Sequence, residues 1–287
     1  MRILQIVVFV LTASATQAQQ AIPFQIFNGK GKKVSYAKML AQSEKSDITF
    51  FGEYHNNAVA HWLQLELTQD LAKSKKNALT LGFEMFEADQ QHLVDQWLNG
   101  GLNDKQFQDT MRMWTNYKTD YKPLMLLAKT GKMPVAADNV PRRIASAAFK
   151  LGREGLINID AKEKAFMADA QFPIDTTLSQ YQAMMDMVGA DHSKGYNFVL
   201  AQAIKDATMA HFIDKLWKPG THFIHFNGAF HTDYHQGIIW YLNRLRPNLN
   251  YVSISTVEQS DVRKLDKEHL NRAHFIIVVK DNFTKTH

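Results

Sequence analysis

"FFGEYHNN", residues 50–57, follows Asp47-Ile48-Thr49 and carries an apolar run straight into a glycine, a carboxylate and an imidazole. A run that short, rich in Phe and Ile and stopped by Gly, reads as a buried strand turning into a loop. Beyond it, Val59, Trp62, Leu63, Leu67 and Leu71 recur at helical spacing, and Ala78 to Met85 reads as a second strand. Strand, helix, strand in that order is a βαβ unit, which pairs its strands in parallel. Further strands are expected at Met133 to Ala137, Thr221 to Phe226, Tyr251 to Thr256 and His274 to Val279. The fold class is therefore α/β, with a mostly parallel sheet flanked by helices. Residues 156 to 216 break the alternation with helical patterns, including 181–188 and 198–212, and read as a helical insertion or cap. This stretch holds Met167, Met184, Met185, Met187 and Met209.

The chain has 287 residues, 45% of them hydrophobic, enough to bury a large core. Residues 1–18 resemble a secretory signal: Arg2, an apolar run from Ile3 to Leu11, then Thr16-Gln17-Ala18. The expected mature chain, 19–287, is a single domain, exported to the periplasm, with no later apolar run long enough to span a bilayer. No cysteine is present, which excludes disulfides, thiolate metal sites and acylation at a cysteine. The formal charge of +5 is scattered in short pieces such as Lys30 to Lys33, a pattern that argues against nucleic-acid binding.

In a parallel sheet, ligands bind outside the carboxyl ends of the strands. Four of the expected strands run on into polar residues there: Gly52-Glu53-Tyr54-His55, Gly82-Phe83-Glu84, Asp138-Asn139-Val140-Pro141-Arg142, and Gly228-Ala229-Phe230-His231 with His235 four residues on. Glu53, His55, Glu84, His231 and His235 are the candidate metal set, since imidazole and carboxylate donors suit a divalent transition metal. Without metal, the same groups suit general acid–base work. Each also has a plainer role available: Gly52 and Gly228 as tight turns, a lone glutamate as a helix cap, Asn139 and Pro141 as a helix start. His61, His92, His192, His211, His222, His225 and His269 show no partner pattern and are read as structural or surface groups.

The two G-x-x-H elements flanking the acidic Gly82-Phe83-Glu84 resemble the superfamily of ChaN-like haem-binding uptake proteins, Tiki-type metalloproteases, TraB-type proteins and erythromycin esterases. Asn139-Val140-Pro141-Arg142 and Asp206-Ala207-Thr208-Met209-Ala210 are similar to elements of the ChaN branch, and the resemblance spans roughly residues 40 to 250. It implies an exported, non-catalytic protein of haem and iron uptake. It further implies haem held at a homodimer interface by a tyrosine ligand, and an outer-membrane haem receptor as a further partner. Carried over by position, Glu53, His55, Glu84 and His231 match the superfamily site, and Asn139, Arg142, Asp206 and Met209 the branch elements. Tyr181 and Tyr196 are the candidate axial ligands, with Tyr54 and Tyr234 inside the motifs, and Arg142 or a histidine would meet the propionates. Two enzymatic alternatives remain open: a Tiki-type metal-dependent hydrolase using Glu53, His55, Glu84 and His231, and a metal-free esterase-like hydrolase.

Overall fold

The computed structural model describes residues 22–75, 78–189 and 191–287. The secretory signal expected at 1–18 lies outside the described residues. The expected strands form at Ile48–Glu53 (β2), Leu79–Glu87 (β3), Val135–Asn139 (β4), His222–Gly228 (β5), Tyr251–Gln259 (β6) and Phe275–Lys280 (β7). A strand not anticipated from the sequence, Phe24–Asn28 (β1), precedes them. The sheet runs β1-β7-β6-β2-β5-β3-β4, parallel throughout except for β1, which pairs antiparallel with β7 at one edge.

The strand pleat sends successive side chains to opposite faces, so each face of the sheet needs its own helices. Phe51, Leu81, Phe83 and Phe226 pack on one face with α1 (Tyr36–Ser43), α2 (Ala58–Lys75), α3 (Gln91–Leu98), α4 (Asp104–Thr110) and α5 (Lys122–Gly131). Phe50, Ala136 and Phe223 pack on the other with α6 (Arg142–Ile157), α7 (Ser179–Val188), α8 (His192–Leu216) and α9 (Ile238–Leu245). Trp62, grouped above with the buried face of α2, is half exposed and edge-packed on Phe24 of β1. The true buried stripe of α2 includes Gln64 and Thr68.

After β4 the chain returns to insert β5 between β2 and β3, then crosses β2 to place β6 on its far side. The order of travel reverses at the β2–β5 pair, whose last partnered residues are Glu53 and Gly228. A crevice at the carboxyl ends is expected at such a reversal. No described helix is long and apolar enough to cross a membrane.

Of the methionines in 156–216, Met167, Met184 and Met209 are buried in the second face's core, Met185 is half-buried, and only Met187 is well exposed. Asn139, just before α6, donates to the Glu84 carbonyl at 2.8 Å, and Glu84 contacts His231, the partner of Asp206 on α8. Ten residues into α6, Gly152 abuts Asn197, nine residues before Asp206. The two helices therefore run antiparallel and project beyond the sheet edge by roughly 14 Å, at 1.5 Å per residue.

Candidate functional site at the sheet edge and helical tip

The pleat decides which side each acid takes. Glu53 shares the face of Phe51, toward α2 and α5, whereas Glu84 alternates with Phe83 and faces α8. Glu53 is buried, and its oxygens are fully engaged: His55 Nδ1 lies 2.9 Å from Oε1, Tyr121 OH donates to Oε1 and Gln64 Nε2 donates to Oε2. Burial alone would push the Glu53 carboxyl up, but His61, His55 and Tyr121 together bring it below its ordinary value. His61 braces this side, with Nδ1 2.9 Å from Gln64 Oε1 and Nε2 3.0 Å from the His55 carbonyl. Asn116 Nδ2 donates to that same carbonyl at 2.6 Å.

On the other side, His231 Nε2 lies 3.1 Å from Glu84 Oε1 and its Nδ1 contacts Asp206 Oδ1. Burial pushes the His231 imidazole down, yet Glu84 and Asp206 outweigh it and raise the ring to about 10. Burial would likewise raise Glu84, but His231, His55 and the Gly228 N–H, 2.7 Å from Oε2, hold it well below the carboxylate range. His231 is thus a buried cation between two acids. Tyr181 OH donates to Asp206 Oδ2 at 2.8 Å and closes that side.

The two halves meet over Gly228. A Cβ there would stand 2.9 Å from His55 Nε2 and 3.5 Å from Glu84 Oε2, so only glycine lets the His55 ring lie against the strand end. His55 is the accessible member, its side chain 38% exposed and its ring edge-on to Trp114 at 4.6 Å. Burial lowers His55, while Glu53 and Glu84 raise it above its ordinary value.

Several expected site residues fall elsewhere. His231 and His235 share no helix face: two short turns, Ala229–His231 and Asp233–His235, replace the helix, and Tyr234 takes a left-handed φ of 57°. His235 instead packs edge-on to His274 at 4.8 Å, with Nδ1 3.3 Å from Tyr251 OH. Among the described residues no group of three or more His, Asp or Glu side chains converges as a metal site. The proposed set divides because Glu53 and Glu84 leave opposite faces of the sheet and spend their oxygens on protein donors. Met209 is fully buried against the sheet, and Tyr181 is buried with its hydroxyl committed to Asp206, so neither reaches a surface on which a porphyrin could lie. Burial and Asp206 also raise the Tyr181 phenol well above its ordinary value, opposing the phenolate an iron would need. Tyr234 OH donates to the Glu268 carbonyl and its ring lies under Arg272.

Two exposed tyrosines make no hydroxyl hydrogen bond among the described residues, Tyr54 at 39% exposure and Tyr196 at 37%. Burial raises the Tyr54 phenol, and despite Arg272 the acids Glu258, Asp233 and Glu268 keep it raised. Tyr196 stands on the projecting end of α8, between Gly195, which faces Met185 of α7, and Asn197, which abuts α6. Phe149 and Leu151 on α6, before its break at Gly152, and Met187 on α7 are also exposed, so this tip holds four of the ten large apolar side chains exposed among the described residues. Arg142 is exposed on α6 two turns before Phe149, with no carboxylate partner among the described residues. Gln64, His61, Asn116 and Tyr121 were missed by sequence reasoning. The available signal was Gln64 and Thr68, polar groups on the apolar stripe of α2.

The two adjacent strands that end in G-x-x-H elements lie within the span matched by a family model of the Tiki superfamily, to which the chain belongs. Within it, the chain belongs to the ChaN family, described as "Haem-binding uptake, Tiki superfamily, ChaN", whose model matches residues 39–242. Among solved structures, the chain is similar to ChaN of Campylobacter jejuni, a structure of cofacial haem binding. The identity is 16% over 90% of this chain and 97% of that one, with a TM-score of 0.68, a likeness of fold. It is more distantly similar to an erythromycin esterase mutant in its open conformation (12% identity, 90% and 83% covered, TM-score 0.47). A Bacillus cereus protein is similarly distant (10%, 85% and 90%, 0.49). No curated protein matches the chain.

Proposed function

We propose that this protein is an exported, periplasmic haem carrier for haem and iron uptake, holding haem on the α6–α8 tip with Tyr196 as the axial ligand. The observation that carries the reading is the coincidence of a free, exposed phenol with the main concentration of exposed apolar side chains. A porphyrin needs a broad apolar surface, an axial donor and cations for its propionates; the tip offers the first two in Phe149, Leu151 and Tyr196, and the unpaired Arg142 stands at the base of α6. When bound, ferric haem supplies a Lewis-acidic iron that a phenolate satisfies. The residues of this chain orient the ring, hold the propionates and shed water from the face. Leu151 at 68% and Met187 at 73% exposure are costly on a monomer, which favours a homodimer closed over this tip.

Haemin titration of the purified chain tests this reading. A saturable Soret shift, accompanied by a monomer-to-dimer change in sedimentation, is the expected outcome; absence of a saturable shift overturns it.

A second reading, metal-free hydrolysis, is favoured by one feature: His55 is accessible, held at Nδ1 by Glu53, and presents Nε2 beside Glu84. It requires turnover of an activated ester that disappears in His55→Gln while haem binding persists. An ester hydrolysis rate equal in the variant and the parent chain removes it.

A further inference from the structure

At the end of the sheet opposite the histidines, a cleft of about 1050 Å³ opens beside the edge strand β4, between α3 and α5 on one side and the last turn of α8 on the other. The strand itself is sealed against another strand. Gln91 Nε2 donates to the Val135 carbonyl at 2.9 Å, and the Ala137 N–H donates to Gln91 Oε1 at 2.7 Å, so one side-chain amide stands in for a neighbouring peptide. The cleft therefore suits a small ligand rather than an added strand, and its volume matches ligand pockets of about 1,000 Å³.

Its lining is amphipathic. Over the buried Ala128, Val135 and Ala136, the partly exposed Leu98, Phe212 and Leu216 make the apolar floor. Lys129, Lys132, Lys215 and Lys218 stand around it. Elsewhere Lys73, Lys105, Lys122 and Lys285 each pair with a carboxylate, but none of these four does so among the described residues. Lys129 lies over the Trp97 ring at 4.2 Å, and Lys218 Nζ donates to the Lys215 carbonyl. The one acid among the described lining residues, Asp95, accepts from Gln91 at 2.8 Å. Unpaired cations on the walls of a cleft concentrate positive potential within it, and the apolar floor rewards a ligand with an apolar body.

We propose that this cleft binds amphipathic organic carboxylates, with the apolar body on the β4 floor and the carboxylate among Lys129, Lys132, Lys215 and Lys218. Fatty acids and the propionates of a tetrapyrrole share that chemistry. The site is separate from the Tyr196 face and does not depend on it.

Calorimetric titration of the purified chain with decanoate, decanol and metal-free protoporphyrin IX tests the assignment. Saturable binding of decanoate or protoporphyrin, with decanol bound far more weakly, is the expected result; which anion binds identifies the source. Lys132→Glu with Lys218→Glu lowers that affinity by about tenfold or more, and the neutral Lys132→Gln with Lys218→Gln lowers it less. Both pairs are exposed changes that leave the thermal midpoint as in the parent, whereas Tyr196→Phe leaves decanoate binding unchanged. Equal binding of decanol and decanoate, no saturable binding of either anion, or affinities indifferent to the lysine changes would each overturn the proposal.

Discussion

The sheet edge and the helical tip of the same molecule are opposites. At the edge, His231 lies within hydrogen-bonding distance of both Glu84 and Asp206, and Glu53 is held by His55, Gln64 and Tyr121. At the tip, Tyr196 and its apolar neighbours on α6 and α7 face outward with no partner for the phenol among the described residues. Buried polar groups that are mutually satisfied hold a structure together, whereas exposed apolar surface around a free donor is a feature that a ligand or partner completes.

Breaking the edge is expected to cost stability first. Glu84→Ala leaves the buried His231 cation with half its compensation, a loss of about 3–5 kcal/mol in urea unfolding. The same pair gives a pH signature. His231 rises from an ordinary 6.5 to about 10 on folding, so its contribution is fully present below pH 6.5 and lost as pH climbs toward 10. The thermal midpoint should therefore fall across that window in the parent chain, and fall less steeply in His231→Gln. Gly228→Ala forces His55 off the strand end, a cost of about 1–3 kcal/mol with the His55 ring displaced in a crystal structure.

The smallest effects sharpen the contrast best. Tyr181→Phe removes one buried hydrogen bond to Asp206 and costs about 1 kcal/mol, while the ferric haem spectrum stays as in the parent. Tyr196→Phe changes stability by no more than about 0.5 kcal/mol, yet alters that spectrum. A reversal of the two outcomes would transfer the ligand role to Tyr181 and require the α7–α8 packing to open.

Much of the fold was legible because each buried strand ends in a glycine or a polar cluster, as in Gly52-Glu53 and Asn227-Gly228. β1 was missed because Phe24–Asn28 is short, lies on the sheet's edge and pairs antiparallel, leaving little alternation to read. The acids and imidazoles of the edge were legible as types. Their division between the two faces was not, because it depends on the pleat: Glu53 follows Phe51 by two positions and Glu84 follows Phe83 by one. Tyr181 and Tyr196 were equivalent in the sequence, and only packing separates a phenol buried on Asp206 from one standing in solvent. The pairing of His231 with His235 failed for a local reason, since the left-handed backbone at Tyr234 breaks the helix that H-x-x-x-H spacing presumes.

Haemin titration of Tyr196→Phe beside the parent chain, read in the Soret and charge-transfer bands, tests the central claim most directly. The parent should bind saturably with the spectrum of a tyrosine-ligated ferric haem, and the variant should lose that spectrum while remaining folded. An identical saturable spectrum in both chains would contradict the assignment of haem to the α6–α8 tip through Tyr196.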